Sequence, residues 1–416
     1  MTRFLTTVAA CAVLSAPALA EAPATGAVLS TYADIALAKY TDALETARGL
    51  DAAIDALVAN PSEATLSAAK AAWVSARVPY MQTEAYRFGN PVVDDWEGKV
   101  NAWPLDEGLI DYVAAGYGTE SDANTFYTAN VIANPSLVVG GQAIDAATID
   151  AGLLQTLHEA GGIEANVATG YHAVEFLLWG QDLNGTGAGA GQRPATDFDA
   201  ANCTNGDCER RADFLVAASE LMLSDLEEIV AAWGQGGDAR TQLMEELGLS
   251  AIVTGMGSLS YGEMAGERMK LGLLLHDPEE EHDCFADNTH NSHFYDVVGI
   301  QNVYLGRYKG VDGSITDGPS LSALVAASDA DLDAEMRTKL DASIAAFSAL
   351  KVRAETVEAY DQMIGEGNVQ GNAVVQAAID ALVDQTRTIE RVAALLDADI
   401  TVEGSDSLDD PNAVFQ

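Results

Sequence analysis

Basic residues are scarce in this chain: 21 lysines and arginines stand against 63 aspartates and glutamates in 416 residues, a formal net charge of −42. Such a surface repels a phosphate backbone, which excludes nucleic acid as a ligand. It attracts cations, and it also keeps a protein soluble in salt. Long apolar runs are missing beyond the first twenty residues, where no stretch approaches the roughly 18 uninterrupted apolar positions of a membrane-spanning helix. Familiar catalytic strings are missing as well. No H-E-x-x-H segment is present to hold zinc and a general base on one helical turn. The nearest approach to a G-x-S-x-G elbow, Ser258-Leu259-Ser260-Tyr261-Gly262, has serine where the first glycine belongs and follows no predicted strand, which sets serine hydrolysis aside. The glycine-rich stretch from Gly185 to Gly191 lacks the Lys-Ser/Thr ending of a phosphate loop and reads as a flexible surface loop.

Cysteine is rare, with four in the chain. Cys11 falls in an N-terminal segment with Arg3, a mostly apolar run from Phe4 to Leu14 and the small-residue site Ala18-Leu19-Ala20. That is the pattern of a secretory signal peptide, residues 1–20, cleaved to leave Glu21 first. A lipoprotein box ending in Cys11 is the rival reading, with a short hydrophobic stretch before it. Cys203 and Cys208 flank a turn-forming Asn205-Gly206 step. They supply only two thiolates where structural zinc takes four ligands, so in an oxidising envelope a disulfide is expected. Cys284 is left over, a spectator, a partner for another thiol or a metal ligand.

What is abundant is apolar helix-forming sequence. Hydrophobic residues make up 48% of the chain, enough for a real core. Helices are expected over Val28 to Ala59, Ala64 to Phe88 with a kink at Pro79, Leu153 to Ala160, Val167 to Trp179, Arg210 to Trp233, Thr241 to Leu275, Ser320 to Ile364 and Asn372 to Asp397. Trp73, Arg77, Tyr80, Glu84 and Arg87 recur at three and four and share a face. The fold class is all-α, a two-domain helical bundle. Its expected divisions are an N-terminal domain over 21–235, a C-terminal domain over 236–400 and a frayed polar tail over 401–416. Internal duplication is an open reading, from the Gly170–Glu175 and Gly299–Tyr304 patterns and from LVAAS at Leu215 and Leu324.

Chemistry concentrates in two places. In GYHAVEFLLWGQD, His172 and Glu175 lie three apart in an otherwise apolar run, so a helix brings an imidazole and a carboxylate together as half a transition-metal site. A hydrogen bond between the two in a bundle core is the alternative. His276, His282, His290 and His293 fall within eighteen residues among six acids, and imidazole with carboxylate suits zinc, iron, copper or manganese. Glu84, Asp106, Glu107 and Glu267 are the further candidates, Glu84 with a default ion pair to Arg87.

Gly170, His172 and Glu175 with the following Phe176 to Gly180 resemble the GxHxxE motif of the imelysin family, cell-envelope proteins first described as insulin-cleaving peptidases. The strings from Trp103 to Tyr112 and from Glu267 to Gly306 resemble its iron-regulated protein A subgroup. The resemblance implies a two-domain helical fold, with the motif near the junction. It also implies a periplasmic or envelope protein that binds a metal ion, iron first and zinc second, or an iron-bearing ligand, with an envelope iron transporter as partner. A metallopeptidase using His172 and Glu175, or a scaffold with a structural motif, are the alternatives. The expected metal residues are His172, Glu175, Glu84, Asp106, Glu107, Glu267, His282 and His290.

Overall fold

The computed structural model describes residues 22–415 except 122 and 140; the signal-peptide segment and Cys11 lie outside them. Fifteen α-helices, nine 3-10 or π-helical segments and two small hairpins make up the regular structure of the described residues. Helix α1 (Thr25–Ala59) and α2 (Glu63–Met81) form an antiparallel pair. Between them Ser62 caps α2, its hydroxyl accepting from the Thr65 N–H at 3.3 Å while Thr65 Oγ1 accepts from the Ser62 N–H at 3.0 Å. Helix α3 (Pro91–Asn101) follows, then the hairpin β1 (Ser136–Val139) and β2 (Gln142–Asp145), paired Ser136 to Asp145, and α4 (Ala151–Leu157). Helix α5 (Gly170–Trp179) is buried along its whole length and packs between α2, α3 and α6 (Cys208–Trp233).

Beyond α7 (Asp238–Gln242) and α8 (Leu249–Ser258) the chain runs through a π-helical stretch, Leu259–Leu271, into α9 (Gly272–Leu275). Helix α10 (Thr289–Leu305) packs on α2 and on α12 (Ala330–Thr356). The hairpin β3 (Arg307–Lys309) and β4 (Ile315–Asp317) and α11 (Leu321–Ser328) intervene. Then come α13 (Tyr360–Ile364), α14 (Val369–Leu395), which packs on α12 and the π-helical stretch, and α15 (Asp406–Asp409). Buried apolar side chains from Val28 to Ala393 form one continuous cluster. Lys39 is buried within it and donates to the carbonyls of Gln82 at 2.8 Å and Gly299 at 3.4 Å, tying α1 to the end of α2 and to α10.

Several expected boundaries differ. The helix through Pro79 stops at Met81 and gives way to a 3-10 turn over Glu84–Tyr86. The long element from Ser320 breaks at Asp329, whose side chain caps α12, and again after Thr356. The segment from His276 to Val298, expected to interrupt the helices, ends its irregular part at Asn288, so His290 and His293 ride on α10. The polar tail is docked where fraying was expected. Ser405 and Ser407 are buried, Ser407 Oγ donates to the Gly266 carbonyl at 3.0 Å, and a Cβ at Gly266 would collide with Ser405. Only glycine permits that close approach.

Candidate metal centre

Gly170 begins α5 at φ +73°, and a Cβ there would meet the Val100 backbone at 2.3 to 2.6 Å. The first position of the motif is therefore glycine for two reasons, left-handed backbone and contact with α3. That contact sets the depth at which α5 enters the core, and both His172 and Glu175 end up no more than 1% exposed. Glu175 Oε1 accepts from the Ala286 N–H at 2.9 Å, and Oε2 lies 3.0 Å from His172 Nδ1. With Nδ1–H donating to the carboxylate, the remaining ring nitrogen, Nε2, carries the lone pair. That Nε2 is buried and has no hydrogen-bond partner.

The segment between α9 and α10 brings a second imidazole against the first. The rings of His172 and His282 are 4.8 Å apart, nearly perpendicular. His282 Nδ1 lies 3.2 Å from Asp283 Oδ1 and 3.2 Å from the donor Arg77 Nη2, whereas His172 Nδ1 faces the Glu175 carboxylate alone. Asp283 is held by Arg77 of α2, whose Nη2 donates to Oδ1 at 2.8 Å and whose Nη1 donates to Asn101 Oδ1 at 2.6 Å. Asp283 Oδ2 accepts from Asn288 and Ser292. His172, His282 and Asp283 each offer a ligand atom within 4.8 Å of the others. Asp283 already accepts at both oxygens, which suits it to orienting His282 more than to coordination.

Burial and the Arg77 charge push His172 down to about 3, and burial with Arg268 pushes His282 well below its ordinary value. Both rings stay neutral, the form that ligates metal. Burial with the Asp283 charge raises Glu175. Burial would also raise Asp283, but Arg77 and the His282 contact overcome it and hold the carboxyl well below the usual range.

A cleft of about 320 Å³ leads to the imidazoles past Trp103, Asp106, Glu107, Tyr117, Glu279 and Cys284. A second, of about 570 Å³, reaches His282 from the side of Arg87, Glu97, Glu263, Glu267 and Arg268. His172, Glu175 and His282 thus come together, with Asp106 and Glu107 on the wall of the first cleft and Glu267 on the second. Glu84 is committed elsewhere. It accepts from Arg268 Nη2 at 2.7 Å in a group with Glu263 and Asp296, and that partner replaces the expected Arg87. His290 lies on α10, shifted down to about 4 by burial and Lys351, and the closer histidine of that helix is His293, 6.3 Å from the His282 ring. Cys203 and Cys208 are disulfide-bonded with Cα atoms 5.9 Å apart. Asp283 and Arg77 are the positioning residues that spacing alone leaves without a role. An acid directly after His282 and an arginine amid the aromatic face of α2 were their only signals.

No curated protein matches the chain. Its fold is similar to the crystal structure of an iron-regulated protein A precursor from Parabacteroides distasonis, with a TM-score of 0.63 at 19% identity over 90% of this chain and 96% of that one. It is also similar to an imelysin-like protein from Psychrobacter arcticum, with a TM-score of 0.54 at 15% identity over 91% of this chain and 98% of that one. The peptidase M75 family model, imelysin, matches residues 36–389. That span holds α5, both imidazoles and the carboxylates behind them, and the chain belongs to the imelysin family.

Proposed function

We propose that this protein binds a transition metal, iron first, in the cell envelope, through Nε2 of His172 and a ring nitrogen of His282. The observation that carries the reading is the buried, unpartnered Nε2 of His172, a ring held at Nδ1 by Glu175, beside the second imidazole of His282. A buried imidazole nitrogen without a donor is an unmet acceptor, and a metal ion meets it. Asp106 on the cleft wall is an acid available to complete such a site. Nitrogen with carboxylate oxygen suits iron, zinc and copper alike. Iron is preferred because the similar protein from Parabacteroides distasonis is named as iron-regulated. A periplasmic location and delivery to an envelope iron transporter follow from that preference and from the leader-like N-terminus.

The metallopeptidase reading asks Glu175 to act as general base. Its Oε1 is taken by the Ala286 N–H and its Oε2 by His172, within the core, so a base for hydrolysis has to come from the cleft wall. The test is elemental analysis of protein purified from its own envelope without chelator or metal-affinity resin. Wild type carries iron or zinc, and His172→Ala and His282→Ala lose it with helical circular dichroism unchanged. Equal metal in all three overturns the proposal. Metal-dependent cleavage of unfolded peptides, abolished by Glu175→Gln at preserved fold, favours the peptidase instead.

A further inference from the structure

The same loop that presents His282 to the imidazole pair has a second polar side. Glu107, Asp182, Glu279, Glu281 and Asp361 line a cavity of about 10 Å³, close to the space of one water-sized sphere. Gly185, the first residue of the glycine-rich stretch, is on its wall, and His172 and His282 are not. Among the described residues no lysine, arginine or histidine lines it. Glu281 and Asp361 are each 1% exposed, and Glu281 Oε1 and both Asp361 oxygens have no hydrogen-bond partner. The other acids have donors: Glu107 takes Gln181 Nε2 at 3.3 Å, and Asp182 takes the Asn184 N–H at 2.9 Å.

A buried carboxylate without cation or donor is strongly disfavoured, and it is relieved by a proton or by a counter-ion. Burial raises Glu279 and Asp361 to about 7, with Glu107 and Asp182 respectively adding to the effect. We propose that this cavity binds one calcium ion through Glu279, Glu281 and Asp361, with Asp182 and Glu107 beside them. The donors are all oxygen, which selects a hard cation and separates this site from the imidazole pair. Calcium accepts irregular sets of six to eight ligands including water, where magnesium demands near-ideal octahedral geometry. Among the described residues only His172, His282 and Asp283 approach one another as a threesome within 4.8 Å. Water therefore completes the ligand set between the carboxylates. Asp361 belongs to α13, Asp182 follows α5, and Glu279 and Glu281 precede His282. Bound calcium pins the His282 loop to both helices.

The experiment is calorimetric titration of CaCl2 into the full mature chain, stripped of metal by chelator, at pH 7.5 in 0.15 M salt. The expected result is one saturable site per chain, with protons released on binding. Asp361→Asn and Glu279→Gln each weaken it at least tenfold at unchanged circular dichroism, while His172→Ala leaves it intact. If Asp361→Asn fails to fold, Glu279→Gln alone decides. No saturable binding below millimolar calcium, non-saturable uptake by the acidic surface that is unchanged in either acid variant, or equal loss in His172→Ala overturns the proposal.

Discussion

Asp111 and Asp361 are both 1% exposed, yet they live under opposite electrostatic regimes. Asp111 accepts from Arg193 Nη1 at 2.7 Å and from Arg211 through Nε at 2.7 Å and Nη2 at 2.9 Å. Burial would raise its pKa, but Arg193 and Arg211 overcome that and hold it below the ordinary aspartate value. Asp361 has no hydrogen-bond partner, and burial carries it to about 7. In a chain with three times as many acids as bases, arginines go where a buried carboxylate is structural. Asp361, left without one, lines the proposed calcium cavity. The candidate metal centre sits between these regimes. Arg77 neutralises Asp283, and Asp283 in turn orients a neutral imidazole.

The sharpest way to break this contrast is to remove a structural carboxylate. Asp111→Ala leaves Arg193 and Arg211 short of their shared anion, and a loss of about 3–5 kcal/mol is expected by denaturant unfolding. A loss below about 1 kcal/mol, the size of an exposed ion pair, contradicts the assignment. Arg77→Met strands Asp283 in the same way, with a loss expected at the lower end of about 3–5 kcal/mol because Asn288 and Ser292 still donate to its carboxylate. It also frees His282 to rotate. Metal content therefore falls in whatever fraction remains folded, whereas a purely structural Arg77 leaves metal per folded molecule unchanged.

Glu175→Gln keeps the size of the side chain but leaves one acceptor oxygen for two donors, the Ala286 N–H and the His172 Nδ1–H. Loss of such a backing partner lowers metal affinity by about 10- to 100-fold, read by competition with a chromophoric chelator. An unchanged affinity would remove Glu175 from the site.

The smallest effect concerns Glu97, an intermediate case. It is 5% exposed and shares Arg87, at 3.5 Å, with Asp94 and Glu263. Burial, with Glu84 and Glu263 opposing Arg87, raises it to about 7. Its folded value lies above its unfolded one, so its stabilising contribution is full below about pH 4.5 and is lost as pH rises to about 7. Relative to Glu97→Gln, wild type should lose about 1 kcal/mol per pH unit across that window. Asp111 has the opposite sign, its contribution lost only below the ordinary aspartate range near about 3.9. Parallel pH profiles for wild type and Glu97→Gln would show that Arg87 neutralises Glu97 fully.

The sequence made local geometry legible and hid the long-range partners. Spacings of three and four placed Trp73, Arg77 and Tyr80 on one buried face and set His172 beside Glu175, because a helix turns residues three and four apart onto one side. The same rule proposed Arg87 for Glu84. The actual partner, Arg268, lies 184 residues away, on a π-helical stretch that no periodicity announced. Clustering marked the His276–His293 segment but could not divide its histidines between a loop and α10. The polar composition of the tail pointed to solvent, while its docking depends on two glycines, Gly262 and Gly266, admitting backbone and serine side chains to the π-helical face.

The most direct test of the central claim is an anomalous-difference map at the iron edge, from crystals of protein loaded with ferrous iron under anaerobic conditions. A peak is expected at bonding distance from His172 Nε2 and from a ring nitrogen of His282, absent in His172→Ala. A map with iron only among Glu279, Glu281 and Asp361, or with no ordered iron, would contradict the claim.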